Sequence, residues 1–191
     1  VLNTVTVNGV YNGTTAYDPT SVIQGYEKQG YVLVKNGVPA DGITFTQDGT
    51  PQVYTVTLKH NITQDTPSDN PDNIANLSDT VTQTITYIYG LNTGKAGQTA
   101  AQTKTNTVTF TRSASYDHVT GQTTYSSWNP ETGTFPAVAS PEIAGYTPSA
   151  ASSTAVTVTP MGANNAQTIT YNANKESATV QYIDQTDNNS V

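Results

Sequence analysis

Apolar and polar residues alternate with a period of two through most of this chain. Val5 and Val7 alternate with Thr4 and Thr6, and Tyr54, Val56 and Leu58 oppose Val53, Thr55, Thr57 and Lys59. In "TVTQTITYIYG", Val81, Ile85, Tyr87 and Tyr89 share a face against Thr82, Thr84 and Thr86. In "TKTNTVTFTR", Val108 and Phe110 oppose Thr105, Thr107, Thr109 and Thr111. "TAVTVTP" and "QTITYN" repeat the scheme with Val156, Val158, Ile169 and Tyr171. Period two with one polar face predicts antiparallel or mixed sheets with one solvated side.

One stretch breaks the pattern. "DPTSVIQGYEKQGYVLV" offers Asp18 as N-cap, Pro19 at the first helical position, and Val22, Ile23 and Tyr26 at helical spacing. Gly30 stops it before a strand at 31–34, so the spacing predicts one short helix over 19–29. The first half then runs strand, helix, strand, strand. In "SPEIAGYTPSAA" there is room for at most one or two helical turns at 141–144, ended by Gly145.

Residues 61–79 hold two prolines, four aspartates and only Ile62, Ile74 and Leu77 as sizeable apolar residues. That composition reads as a linker or long loop containing the domain boundary. The segments on either side share a grammar: a Gly-Tyr pair (Gly30-Tyr31, Gly145-Tyr146), then a closing alternating strand at 52–60 or 166–172. "QTITYIYGLNTGKAG" and "SATVQYIDQTDNNS" both read as an opening strand followed by a turn. These are weak internal repeats of one architecture. In the second of them, 178–183 reads as the start of a half-buried strand and 184–190 as the turn after it. The expectation is one unit of a tandem array, its boundary lying just inside the next unit.

Composition sharpens the class. Threonine fills about one position in five of the 191, alongside 10 Pro and 14 Gly. Threonine is β-branched and suits a pleated, half-solvated surface. Charged residues are 11% and the hydrophobic class 35%, which excludes a charge-driven disordered chain and a membrane-spanning one. Cysteine is absent, so neither disulfides nor thiolate chemistry enter. The net charge is −7 and the seven basic residues are scattered, which argues against nucleic acid and against an anionic membrane surface.

Catalytic chemistry has little support. His60 and His118 lie in different halves without a serine-base-acid spacing, and read as solvated surface residues. Structural calcium at Asp65, Asp69 and Asp72, or at Asp184, Asp187 and Asn188, does not match EF-hand spacing. Asp and Asn are also ordinary turn residues. No other cofactor is indicated. Aromatic residues are the best binding candidates, since 12 Tyr and one Trp outnumber three Phe. Tyr116, Tyr125 and Trp128 flank one predicted hairpin with its turn at 117–122. The alternative for them is a place in the core.

"ATVQYIDQT", together with "NTVTVNGVYNGTTAYDPTSVIQGYEKQGYVLVKNG", resembles a permuted mucus-binding repeat of lactobacillal cell-surface adhesins. The family pattern opens with a strand ending in Tyr and Asp, matched at 178–186. It continues to a stretch matched by Tyr26-Glu27-Lys28-Gln29-Gly30-Tyr31. The second half is similar to the family's companion domain through "TVTFTRSASYDHVTGQTTYSSW" and "SPEIAGYTP". The resemblance covers nearly the whole chain, residues 61–79 least. It implies a mostly β, α+β chain of two ubiquitin-like β-grasp domains in an elongated tandem arrangement. The divisions would be 1–64, a linker or loop at 65–78, a second domain at 79–175, and the opening of the next repeat at 176–191.

The resemblance also implies an extracellular protein, anchored to the bacterial cell wall through its parent, that binds host mucin glycans. An immunoglobulin-binding module and a passive stalk are the alternatives. Its remaining implication concerns the first domain, whose native first strand would belong to the "ATVQYID" type and lie mid-sheet. Such side chains bury about 1.5–3 kcal/mol each. Either the 178–183 segment docks on the first domain of a neighbour by strand addition, or it extends the second domain.

Overall fold

The computed structural model describes residues 1–47, 49–183 and Thr186. In chain order the elements begin β1 (Thr14–Thr15), α1 (Thr20–Glu27), β2 (Tyr31–Asn36), β3 (Ile43–Thr44), β4 (Val56–His60) and β5 (Ile62–Asp65). Two long strands follow, β6 (Ser78–Tyr89) and β7 (Thr99–Thr111), then β8 (Ala114–Asp117) and β9 (Gln122–Tyr125). The last are β10 (Gly133–Phe135), β11 (Tyr146–Pro148), β12 (Val156–Val158) and β13 (Asn165–Ala173). The chain is mostly β with one short helix among the described residues, none of them long and apolar enough to cross a membrane as a helix. It divides into two compact units: Val1–Ser78 with Thr111–Trp128, and Asp79–Phe110 with Asn129–Val191.

In the first unit the expected helix forms but is shorter at both ends, Thr20–Glu27, with Pro19 rather than Asp18 at its N-cap. Asp18 Oδ1 accepts the backbone N–H of Thr20 at 2.9 Å and its hydroxyl at 2.5 Å, so it holds the entry to α1 from just outside Pro19. These bonds also hold the Asp18 carboxyl below its usual pKa. Ile23 is the buried residue of α1, and Tyr26 meets Tyr31 edge-to-face with ring centroids 5.6 Å apart. β2 pairs antiparallel with β4, from Tyr31 opposite His60 to Asn36 opposite Val56. β5 begins one residue after β4 and pairs antiparallel with β8, which pairs with β9.

Three expectations need correction here. Val5 and Val7 belong to no strand, because 1–10 has no ladder partner among the described residues. The closing strand starts at Val56 rather than at 52. Residues 62–65, inside the expected linker, form β5: β-branched Ile62 and Thr63 find a partner in Tyr116 and Asp117, a signal the surrounding Asp and Pro obscured. The rest of that stretch is a tied loop. Asn70 Oδ1 accepts the N–H of Ile74 at 2.7 Å while its Nδ2 donates to the Ile74 carbonyl at 2.9 Å. Asn73 and Asn76 take positive φ (54° and 60°), which asparagine tolerates better than most residues.

The second unit is built on a four-stranded sheet, ordered β11-β13-β6-β7. β6 and β13 run parallel, Ile85 opposite Gln167 and Tyr87 opposite Ile169, while β11 adds antiparallel to the outer side of β13. Ile85, Tyr87, Ile169 and Tyr171 form the buried cluster, with Val138, Ile143 and Tyr146 packed against it. Burying each of these side chains contributes about 1.5–3 kcal/mol, and Val81, Phe110, Phe135 and Val158 are buried in the same unit. Buried Gln83 links three neighbouring strands: its Oε1 accepts from Asn106 Nδ2 at 2.9 Å and its Nε2 donates to Asn165 Oδ1 at 3.4 Å. The helical turns allowed for at 141–144 do not form; Pro141 and the isolated Ile143 leave only a turn at Ala144-Gly145. Residues 178–183 are exposed and form no strand, with no ladder partner among the described residues; the turn expected at 184–190 lies, Thr186 apart, outside the described residues.

Candidate functional site

The β8–β9 hairpin forms as its sequence dictates. Asp117 Oδ1 accepts the N–H groups of Val119 and Thr120 at 2.9 and 3.3 Å, and Gly121 closes the turn at φ 70°. Beyond Tyr125 the ladder continues, with the Ser126 N–H on the Ser113 carbonyl at 2.9 Å and the Ser113 N–H on Ser126 Oγ at 3.0 Å. This extension brings Arg112 alongside Tyr125 and Trp128.

The Arg112 guanidinium lies 3.8 Å from the Tyr125 ring centroid and 4.4 Å from that of Trp128. The 75–77 loop fixes the arrangement. Arg112 donates its backbone N–H to the Leu77 carbonyl at 2.9 Å and Nε–H to the Asn76 carbonyl at 2.8 Å. Tyr125 Oη donates to the Ala75 carbonyl at 3.2 Å. Cation–π contacts contribute about 0.5–1 kcal/mol at exposed sites and about 2 when desolvated. Tyr125 is 39% exposed and Trp128 half-buried, so neither is a core residue. Arg112 is the chain's single arginine; among the scattered basic residues its role depends on a loop distant in sequence, which spacing does not reveal.

Tyr116 is not part of this stack. It sits edge-to-face on His118 at 5.0 Å. His118 and His60 are not lone solvated residues, as the sequence led one to expect. His60 Nδ1 lies 2.8 Å from Asp117 Oδ2, and His118 Nε2 lies 3.4 Å from Asp72 Oδ1. The hydrogen bond from His60 holds the Asp117 carboxyl down to about 2. Thr63 Oγ1 is 3.1 Å from His118 Nε2 and also donates to Asp72 Oδ2. Threonine and aspartate therefore meet the same ring nitrogen, so the imidazole cannot relay a proton between them as a catalytic triad requires.

The acidic residues weighed for calcium take separate duties. Asp65 is buried and accepts the Asp72 N–H at 3.1 Å, Asp72 is committed to Thr63 and His118, and Asp69 pairs with Thr66. Among the described residues no three His, Cys, Asp or Glu side chains gather as metal ligands. Asp184, Asp187 and Asn188 lie outside the described residues. A second cation–aromatic cluster went unnoticed in the sequence: Lys95 Nζ stands 5.1 Å from the Tyr89 ring and 5.9 Å from that of Tyr146. Those rings lie 4.8 Å apart.

Comparison with known proteins bears on this surface. A family model described as a Muc B2-like domain matches residues 73–175, and one described as a mucin binding domain matches residues 1–60. The chain belongs to the mucus-binding protein repeat family. It is similar to the crystal structure of Mub-RV at 34% identity, over 88% of each chain, with a TM-score of 0.72. It is also similar to a type 2 repeat of the mucus binding protein MUB from Lactobacillus reuteri. That match has 31% identity, covers 88% of this chain and 89% of the other, and has a TM-score of 0.56. No curated protein matches the chain. The Arg112 stack falls within the segment matched as Muc B2-like.

Proposed function

We propose that this mucus-binding repeat is a unit of an extracellular bacterial adhesin that binds host mucin glycoproteins, its parent protein anchored to the cell wall. The observation that carries the reading is the Arg112 guanidinium held between Tyr125 and Trp128 on a partly exposed surface. A sugar ring packs on the exposed part of an aromatic side chain, while a guanidinium presents planar, paired donors to a carboxylate or sulfate. At a net charge of −7 the unit repels acidic glycans weakly at physiological salt, where the Debye length is about 8 Å. Arg112 supplies local attraction. Tyr116, adjacent on the hairpin, contributes only at the edge of the contact. Each contact is weak, and a tandem array raises avidity roughly 10²–10⁴-fold. The four-stranded sheet with its central parallel pair supports a β-grasp-like architecture for the second unit, and the helix packed by β2 supports a partial version of it in the first.

The test is binding of the chain to immobilised mucin before and after glycosidase treatment, with purified immunoglobulin as a parallel surface. Glycan-dependent binding to mucin is expected. Binding to immunoglobulin alone, or to neither surface, contradicts the proposal.

A further inference from the structure

The chain enters and leaves the sheet of the second unit on two strands that lie side by side. β6 brings it in, and β13 takes it out toward residues 174–183. The two run parallel, from Gln83 opposite Asn165 to Tyr89 opposite Tyr171. They are also the central strands of the order β11-β13-β6-β7, so each is flanked on its outer side by a further strand.

Strand direction decides what tension along the chain does here. A pull reaches β6 at its N-terminal end and β13 at its C-terminal end. In a parallel pair those two points lie at opposite ends of the ladder, whose hydrogen bonds are evenly spaced along it. The strands are therefore dragged lengthwise past one another, and the whole ladder is strained at once. Gripped at one common end, the same pair would peel open bond by bond.

Side chains add to the resistance. The buried cluster of Ile85, Tyr87, Ile169 and Tyr171 comes wholly from these two strands, so a slip between them cannot leave it packed. At the loaded start of β6, the Thr82 N–H donates to Asn164 Oδ1 at 2.8 Å, and Asp79 Oδ2 accepts the Met161 N–H at 2.7 Å. At the loaded end of β13, β11 lies alongside with Tyr146 opposite Ala173, and the Asn174 N–H donates to the Gly145 carbonyl at 2.9 Å.

We infer that the β6–β13 pair is a load-bearing clamp, which keeps the second unit folded while the chain is under tension. The inference rests on the adhesin reading only for the source of that tension, an anchored parent protein pulled through the glycoprotein it holds. The resistance itself belongs to the unit and needs no ligand. It acts on the rate of forced unfolding, which the barrier sets, and not on the equilibrium stability of the unloaded chain.

Because the chain has no cysteine, pairs of introduced cysteines can set the pulling direction in single-molecule force spectroscopy. Ser78→Cys with Lys175→Cys loads β6 and β13 lengthwise. Leu91→Cys with Lys175→Cys grips the two strands at their common end, just beyond Tyr89 and Tyr171, and peels them apart. All three positions are exposed, and both variants are expected to melt with the unmodified chain, so that any difference belongs to the direction of load. At one fixed force, the second unit is expected to survive at least about tenfold longer when loaded lengthwise. Equal lifetimes in the two directions, or a longer one on peeling, overturn the inference. Neither handle pair involves mucin, so that result leaves the adhesin reading to its own binding test.

Discussion

Arg112 lies over Tyr125, its guanidinium 3.8 Å from the ring centroid, and Trp128 takes the same cation at 4.4 Å. The planar fork of arginine stacks and hydrogen-bonds at once, which an ammonium cannot reproduce. Arg112→Ala is expected to weaken mucin binding about tenfold and Arg112→Lys nearly as much. Surface plasmon resonance on immobilised mucin reads both, and a lysine variant with wild-type affinity contradicts the stacking role.

Gly30 and Gly145 occupy equivalent places with unequal surroundings. Both have positive φ, but a Cβ on Gly30 would meet the His118 backbone carbonyl at 2.4 Å, whereas nothing lies within 4 Å of one on Gly145. Gly145→Ala is expected to cost about 1–2 kcal/mol from backbone strain alone. Gly30→Ala should exceed it by at least about 1 kcal/mol, because backbone must shift. Urea denaturation of both variants checks the order.

Two tyrosines in the buried cluster of the second unit should respond oppositely to losing their hydroxyls. Tyr171 Oη donates to the Pro141 carbonyl at 2.5 Å, and burial, then the neighbouring Tyr87, pushes its phenol pKa up. The Tyr87 hydroxyl is buried without a hydrogen-bond partner among the described residues. Tyr171→Phe is expected to destabilise by about 1–3 kcal/mol, and Tyr87→Phe to be neutral or stabilising. Thermal melts of the two variants give the comparison.

The His60–Asp117 pair sets a pH dependence. The folded-state pKa of Asp117 is about 2, below an unfolded value of about 3.9. Its contribution is therefore complete above the unfolded value and is lost as pH falls toward 2. The stability gap between the unmodified chain and Asp117→Asn should close as melts are taken from pH 5 down toward that limit. A gap that stays constant contradicts the pairing.

The sequence made legible whatever depends on neighbours along the chain. The threonine-rich alternation marked β6, β7, β12 and β13, Asp18 and Gly30 bounded the helix, and Asp117 and Gly121 marked the hairpin turn. What it hid depends on partners far away. His60 meets Asp117 across 57 residues and Arg112 meets Asn76 across 36, pairings that no local spacing encodes. The same physics explains the strands that failed to appear. Val5, Val7, Val180 and Tyr182 carry the right pattern, but a strand exists only where a ladder receives it. Of the three aromatic residues singled out, Tyr125 and Trp128 meet on one cation, while the ring contact of Tyr116 is with His118.

Trp128 is the single tryptophan, so its emission reports on the proposed contact without interference. Titration of the chain with mucin O-glycans is expected to give a saturable change in that emission, with the midpoint shifted about tenfold in Arg112→Ala. Glycan binding of equal strength in Arg112→Ala, with the emission of Trp128 unmoved, would place the contact elsewhere and contradict the account.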